Sequence, residues 1–186
     1  MPSETTGAGA SSGIARPVEA EAHGFADDGA IPNNPTLPFL VYPGALELPG
    51  DDPAAACEAL FEANGWGGSW RDGIYPFAHF HSTAHEVLGI CRGEAKVRFG
   101  GNAGIVRTVR PGDVVVIPAG VGHQNLGGAD LLVVGAYPQG QRWDLCYGKP
   151  EERPRVLRNI ERVPLPATDP VYGTDGPLVE HWLRRP

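Results

Sequence analysis

Residues 79–86, HFHSTAHE, hold three of the chain's six histidines and a glutamate. Such a cluster could ligate a metal, run acid–base chemistry, act as a pH switch, or do nothing on a wet loop. On a strand, residues two apart share a face. Tyr75, Phe77, His79 and His81 then point one way and Phe80 the other, while Glu86 opens a new run with Leu88 and Ile90 on its face. His123 arrives from a distance, after a tight Pro-Ala-Gly turn in GDVVVIPAGVGH. Three neutral imidazoles and one carboxylate suit a divalent transition ion such as Fe, Mn, Ni, Cu or Zn. Each nitrogen must come within about 2.0–2.1 Å of the ion, by the zinc values, so only converging inner faces can supply the set.

The elements that would bring these residues together are mostly strands. EAKVRFGGNAG alternates, with Ala95, Val97 and Phe99 on one side and Glu94, Lys96 and Arg98 on the other, and runs into a glycine-rich hairpin. DVVVIPAG, DLLVVGAYP and the run near Leu40–Tyr42 are short, apolar and bounded by Gly, Pro or Asp. Many short strands with turns between them predict a sandwich or barrel. One helix is clear in DDPAAACEALFEANG: Asp52 caps it, Pro53 takes the first position and Gly65 ends it. Cys57, Leu60, Phe61 and Asn64 share one of its faces. A second helical stretch is expected at about Arg155–Glu161, and LVEHWL closes the chain as a short amphipathic segment.

The composition narrows the function classes. With 15 basic and 22 acidic residues the formal charge is -7. No basic cluster favours nucleic acid or an anionic membrane surface. No stretch is apolar and long enough to span a membrane, and the start lacks the pattern of a signal peptide. Cys57, Cys91 and Cys146 are odd in number and widely spaced, so they are expected to be packed thiols in a reducing compartment. A cytoplasmic protein is the default. His23 and His181 lie in the extensions and are expected to do nothing chemical, and Trp66 and Trp70 to pack near or over a barrel mouth.

The spacing carries a resemblance. GIYPFAHFHSTAHEVLGICRG, from Gly73 to Gly93, reads G-x5-H-x-H-x4-E-x6-G; Gly112 to His123 reads G-x5-P-x-G-x2-H; 18 residues separate them. These look like the two motifs of the cupin superfamily. DDGAIPNNP, HSTAHEVLG, PAGVGHQNLG, VVGAYP and DPVYG further resemble a largely uncharacterised branch of small single-domain bacterial cupins, from about Phe25 to Trp182. The resemblance implies an all-β double-stranded β-helix, or jelly roll, with a few short peripheral helices. It implies one divalent transition metal per chain (Fe, Mn, Ni or Zn) on His79, His81, Glu86 and His123, and a homodimer. His85 adjoins Glu86, but the spacing to Gly93 favours Glu86 as ligand and turns His85 away. The second motif usually places Asn four residues after its histidine; Gly127 stands there, leaving Asn125 as a weak candidate beside Gln124. Tyr75 and Phe77 are the other candidate pocket residues.

The expected organisation is a disordered tail at 1–16, an extension with one helix at 17–70, a barrel core at 71–148 and a C-terminal extension packed on it at 149–186. The expected function is a metal-binding cupin, an enzyme on a small oxygenated or anionic molecule with dioxygenase-like chemistry. The alternatives are a metal-dependent isomerase or epimerase, and a non-catalytic small-molecule binder.

Overall fold

The computed structural model describes residues 13–184. Most of the expected tail therefore lies outside the described residues. At its end, Arg16 N–H donates to the Ala45 carbonyl and Glu47 N–H to that of Ile14.

The chain is an all-β antiparallel jelly roll with short helices at its edges. The strands are β1 (Glu21–His23), β2 (Phe39–Tyr42), β3 (Trp66–Asp72), β4 (Glu86–Phe99), β5 (Ile105–Val109), β6 (Val114–Ile117) and β7 (His123–Pro138). They pair in the order β1-β2-β6-β4-β7-β3, with β5 on the far half of β4. The helices are α1 (Pro53–Ala63) and α2 (Arg155–Arg162), with a π-helical turn at Val179–Leu183. Among the described residues no helix is long and apolar enough to cross a membrane.

The apolar runs FLVY and VVVI lack alternation because both their faces are covered. Phe39 and Val41 of β2 and Val115 and Ile117 of β6 point into the barrel, beside Leu88, Ile90, Val97 and Phe99 of β4. Leu40, Tyr42, Val114 and Val116 point outward, into a second core with Leu60 and Phe61 of α1 and with Leu178 and Trp182 near the C-terminus. The helix forms as its ends dictate: Ala55 N–H donates to Asp52 Oδ1 at 3.0 Å, and Gly65 takes a left-handed φ of +81°. Cys57, Cys91 and Cys146 are buried and unpaired.

Two expectations on strands change. The segment before His79 is not a regular strand; it pairs only through isolated bridges, His79 with His123 and Phe80 with Cys146. The alternation survives on those bridges, since Phe80 is packed outward with Ile31 and Val156. DLLVVGAYP is only the second half of β7, which begins at His123 and follows β4 through several register shifts.

Candidate metal centre

Two candidate ligands open strands, Glu86 and His123, while His79 and His81 lie on the irregular segment bridged to His123. His123 is the first residue of β7 and faces Phe99, and Glu86 is the first of β4 and faces Ile117. His79 is held beside His123 by two main-chain hydrogen bonds, of 3.2 and 2.9 Å. The turn at 118–121 swings the chain back to His123: Gly120 N–H donates to the His81 carbonyl at 2.7 Å. Gly120 has φ +92°, and a Cβ there would stand 2.5 Å from the Asn33 carbonyl oxygen, so this turn needs glycine.

The imidazoles of His79, His81 and His123 are buried, with ligand atoms all within 4.8 Å of one another. Glu86 Oε2 lies 3.2 Å from His81 Nε2 and 3.4 Å from His123 Nε2. In each histidine Nδ1 faces a main-chain carbonyl: Phe77 O at 3.0 Å for His79, Asp144 O at 2.5 Å for His81 and Val121 O at 3.2 Å for His123. A carbonyl only accepts, so whenever a ring is neutral its proton sits on Nδ1 and its Nε2 turns a lone pair inward. Glu86 Oε2 is buried without a hydrogen-bond partner. With the rings neutral, three lone pairs and an anionic oxygen converge, an arrangement that calls for positive charge, either a proton on an imidazole or a bound cation.

Charge follows from these surroundings. Burial pulls His79 down to about 3, reinforced by the neighbouring His123, so it stays neutral. Burial also opposes protonation of His81, but the Glu86 carboxylate and Asp144 outweigh it and its pKa rises. Burial alone would raise Glu86, yet the imidazoles of His81 and His123 hold it well below the usual carboxylate range.

Further groups fix the site. Tyr137 hydroxyl donates to Glu86 Oε1 at 3.1 Å and accepts from Trp70 Nε1 at 2.7 Å. The loop carrying Asp144 is clamped by Ser82, whose N–H donates to Asp144 Oδ1 at 2.6 Å and whose hydroxyl donates to Oδ2. The motif spacings point to neither Tyr137 nor Asp144. Tyr137 does carry a signal, since Val133 and Tyr137 are four apart on one strand and share the inward face. Asp144 acts through its carbonyl, which no residue type announces.

His85 stands on the other side of β4's start. Its Nδ1 accepts from Ala119 N–H at 2.9 Å, its ring lies 5.0 Å from that of Trp182, and burial pushes its pKa down to about 4. It therefore braces the 118–121 turn from outside, as a neutral ring.

A cavity of about 440 Å³ opens in front of the cluster, lined by Tyr75 but not by Phe77, Gln124 or Asn125. Phe77 stacks behind Tyr75 at 4.9 Å and serves His79 through its carbonyl. Gln124 Nε2 donates to the Pro76 carbonyl. Asn125 stays in regular register with His123, opposite Val97, but its Oδ1 is turned along the chain to accept from Gly127 N–H at 2.8 Å, where β7 bulges after it. Trp70, Tyr137 and Trp143 line the cavity in their place.

Comparison with known proteins gives consistent relatives. The sequence model of the family described as Cupin matches residues 71–138. "Uncharacterized protein YjlB" of Bacillus subtilis (strain 168) is 42% identical over 167 residues, which is 89% of this chain and 98% of that protein. Among solved structures, a cupin-like protein from Thermotoga maritima MSB8 is 20% identical over 65% of this chain and 86% of that one, with a TM-score of 0.33. The 11S allergen of Cocos nucifera L. is 19% identical over 52% of this chain, TM-score 0.34; the chain spans 29% of that protein's length.

Proposed function

The chain belongs to the cupin family, and from that premise we propose that it is a metal-dependent enzyme acting on a small oxygenated or anionic molecule, with dioxygenase-like chemistry. His79, His81, Glu86 and His123 would hold one divalent transition ion per chain, Fe, Mn, Ni or Zn. The observation that carries this is the buried cluster of His79, His81 and His123, with the unpartnered Glu86 Oε2 at 3.2 and 3.4 Å from the Nε2 atoms of His81 and His123. An ion there would supply a Lewis acid and, if iron, an oxygen-activating centre. The chain's own groups would do the rest. The single carboxylate leaves a net charge of +1 on the site, which favours one anionic oxygen of a substrate. Tyr137 holds Oε1 so that Oε2 faces the histidines. The ligand cluster itself is buried at the floor of the cavity, and Tyr75 and Trp143 border the approach. Three buried free thiols suit a cytoplasmic setting, and the homodimer is carried over from the resemblance.

Iron(II)-reconstituted protein should consume oxygen with some member of a panel of diketones, catechols and thiols. If the Fe, Mn and Ni forms all stay silent while ligands still bind in calorimetry, the protein is a binder and not an enzyme. Tyr137→Phe tests the support of Glu86. Removing that hydroxyl should weaken metal binding roughly tenfold, the low end for a lost partner of a ligating group. Chelator competition would measure it, and unchanged affinity would mean that Glu86 needs no such brace.

A further inference from the structure

Resting on the metal-site reading, we infer that the cavity selects a flat conjugated ligand, a phenol or enol of one or two rings with an uncharged body, and rejects phosphorylated or polycarboxylate molecules. Two independent features of the walls lead there. The first is aromatic. The rings of Tyr137 and Trp143 are nearly parallel, 20° apart with centroids at 6.4 Å. Trp70 is pinned by its Nε1 bond to Tyr137, and its indole lies against Gly135, where a Cβ would come within 2.2 Å. Glycine at 135 thus leaves room for an indole in the cavity wall. Tyr75 and Trp143 are each 45% exposed, which leaves ring surface open at the mouth. Such faces bind other π-systems in offset or edge-on contact.

The second feature is charge. Besides the histidines, Arg71 carries the one basic side chain among the residues lining the cavity. Its guanidinium is already taken: Nε and Nη2 donate to the two Glu58 carboxylate oxygens at 3.0 and 2.8 Å, and Nη1 lies 3.5 Å from Asp52. Asp72 accepts from Gly73 N–H. No free cation remains among the lining residues to receive a phosphate or second carboxylate, so the ligand's one anionic oxygen must go to the centre and its remainder must be neutral. A volume of about 440 Å³ lies at the small end of ligand pockets and suits one or two rings.

The test uses zinc-loaded protein, which avoids turnover, and three probes followed by calorimetry. 4-Nitrocatechol offers a ring and a chelating oxygen pair; acetohydroxamate chelates without a ring; D-glucose 6-phosphate carries a phosphate. 4-Nitrocatechol should bind at least tenfold more tightly than D-glucose 6-phosphate. Trp143→Ala should weaken 4-nitrocatechol roughly three- to tenfold, the worth of one aromatic contact, and leave acetohydroxamate within twofold; Trp143→Phe should restore it. Arg71→Ala should leave all three within twofold. Equal binding of the phosphate probe, its loss in Arg71→Ala, or indifference of 4-nitrocatechol to Trp143→Ala would overturn the inference. Zinc content of the same samples separates the two readings. Zinc bound at one per chain with no preference for the ring defeats this inference alone. Trp143-dependent binding of 4-nitrocatechol to protein that takes up no zinc defeats the metal reading and keeps the aromatic pocket.

Discussion

Alanine at His81 is expected to cost the protein its metal. Wild-type protein should bind close to one divalent transition ion per chain, and His81→Ala or His123→Ala should weaken that binding on the order of a hundredfold. The scale comes from protein zinc sites, where about 10–16 kcal/mol is spread over four ligands, roughly 3 kcal/mol each. Among the described residues no spare histidine stands by, because the other nearby one, His85, turns its Nδ1 to Ala119 on the outer side of the strand. His85→Ala should therefore keep the metal, though the protein loses a brace on the 118–121 turn. Glu86→Gln separates ligation from folding. Glutamine keeps the shape of Glu86 and an acceptor for the Tyr137 hydroxyl, so the metal-free variant should fold and melt close to the wild type. Added metal should raise the melting temperature of the wild type and not of the variant. Full occupancy in both His81→Ala and His123→Ala, by elemental analysis after dialysis, would end the case for this site.

Truncation after Gly176 is expected to remove about half or more of the folding free energy. Leu178, Val179 and Trp182 are each at most 5% exposed. A fully buried side chain of this kind contributes about 1.5–3 kcal/mol, so the three together come to roughly 6 kcal/mol against the 5–15 kcal/mol typical of a domain. Two hydrogen bonds go as well: Trp182 Nε1 to the Pro38 carbonyl at 2.9 Å, and Leu178 N–H to Asp169 Oδ2 at 3.0 Å. The loss would bare the outward faces of β2 and β6, including Leu40 and Val116, and invite aggregation. Because Trp182 packs on His85, which holds Ala119, the truncated chain should also bind metal more weakly. Thermal unfolding followed by circular dichroism decides it; a truncated chain melting with the full-length protein would show that the tail is not part of the fold's support. Trp182→Ala should give a smaller loss, about 3–5 kcal/mol.

The helix and the hairpin strand are legible in the sequence because their signals are local. Asp52, Pro53 and Gly65 mark the ends of α1 by backbone chemistry alone, and Ala95, Val97 and Phe99 take the inner face of β4 by strict alternation. The glycine-framed spacings name residues that do converge, His79, His81 and His123 in one cluster and Glu86 against two of them. Asn125 shows where this reasoning stops. Its two-residue spacing from His123 holds in the register, but the bulge that follows it in β7 draws its amide oxygen to Gly127 N–H instead of the cavity, and bulges depend on the partner strand's register.

The amino-acid sequence by itself determined which residues have a lone pair or a carboxylate to offer, and which face of its own strand each prefers, because both depend on residue type and backbone period. Only the tertiary structure decided which tautomer each histidine presents, which carboxylate oxygen is free, and what walls the cavity. Those depend on partners far along the chain: Asp144 reaches His81 across 63 residues, Tyr137 reaches Glu86 across 51, and Trp70 reaches Tyr137 across 67. Such contacts form only when the whole barrel closes, since a hydrogen bond needs its two atoms within about 3 Å and no local rule sets that distance between strands so far apart in sequence.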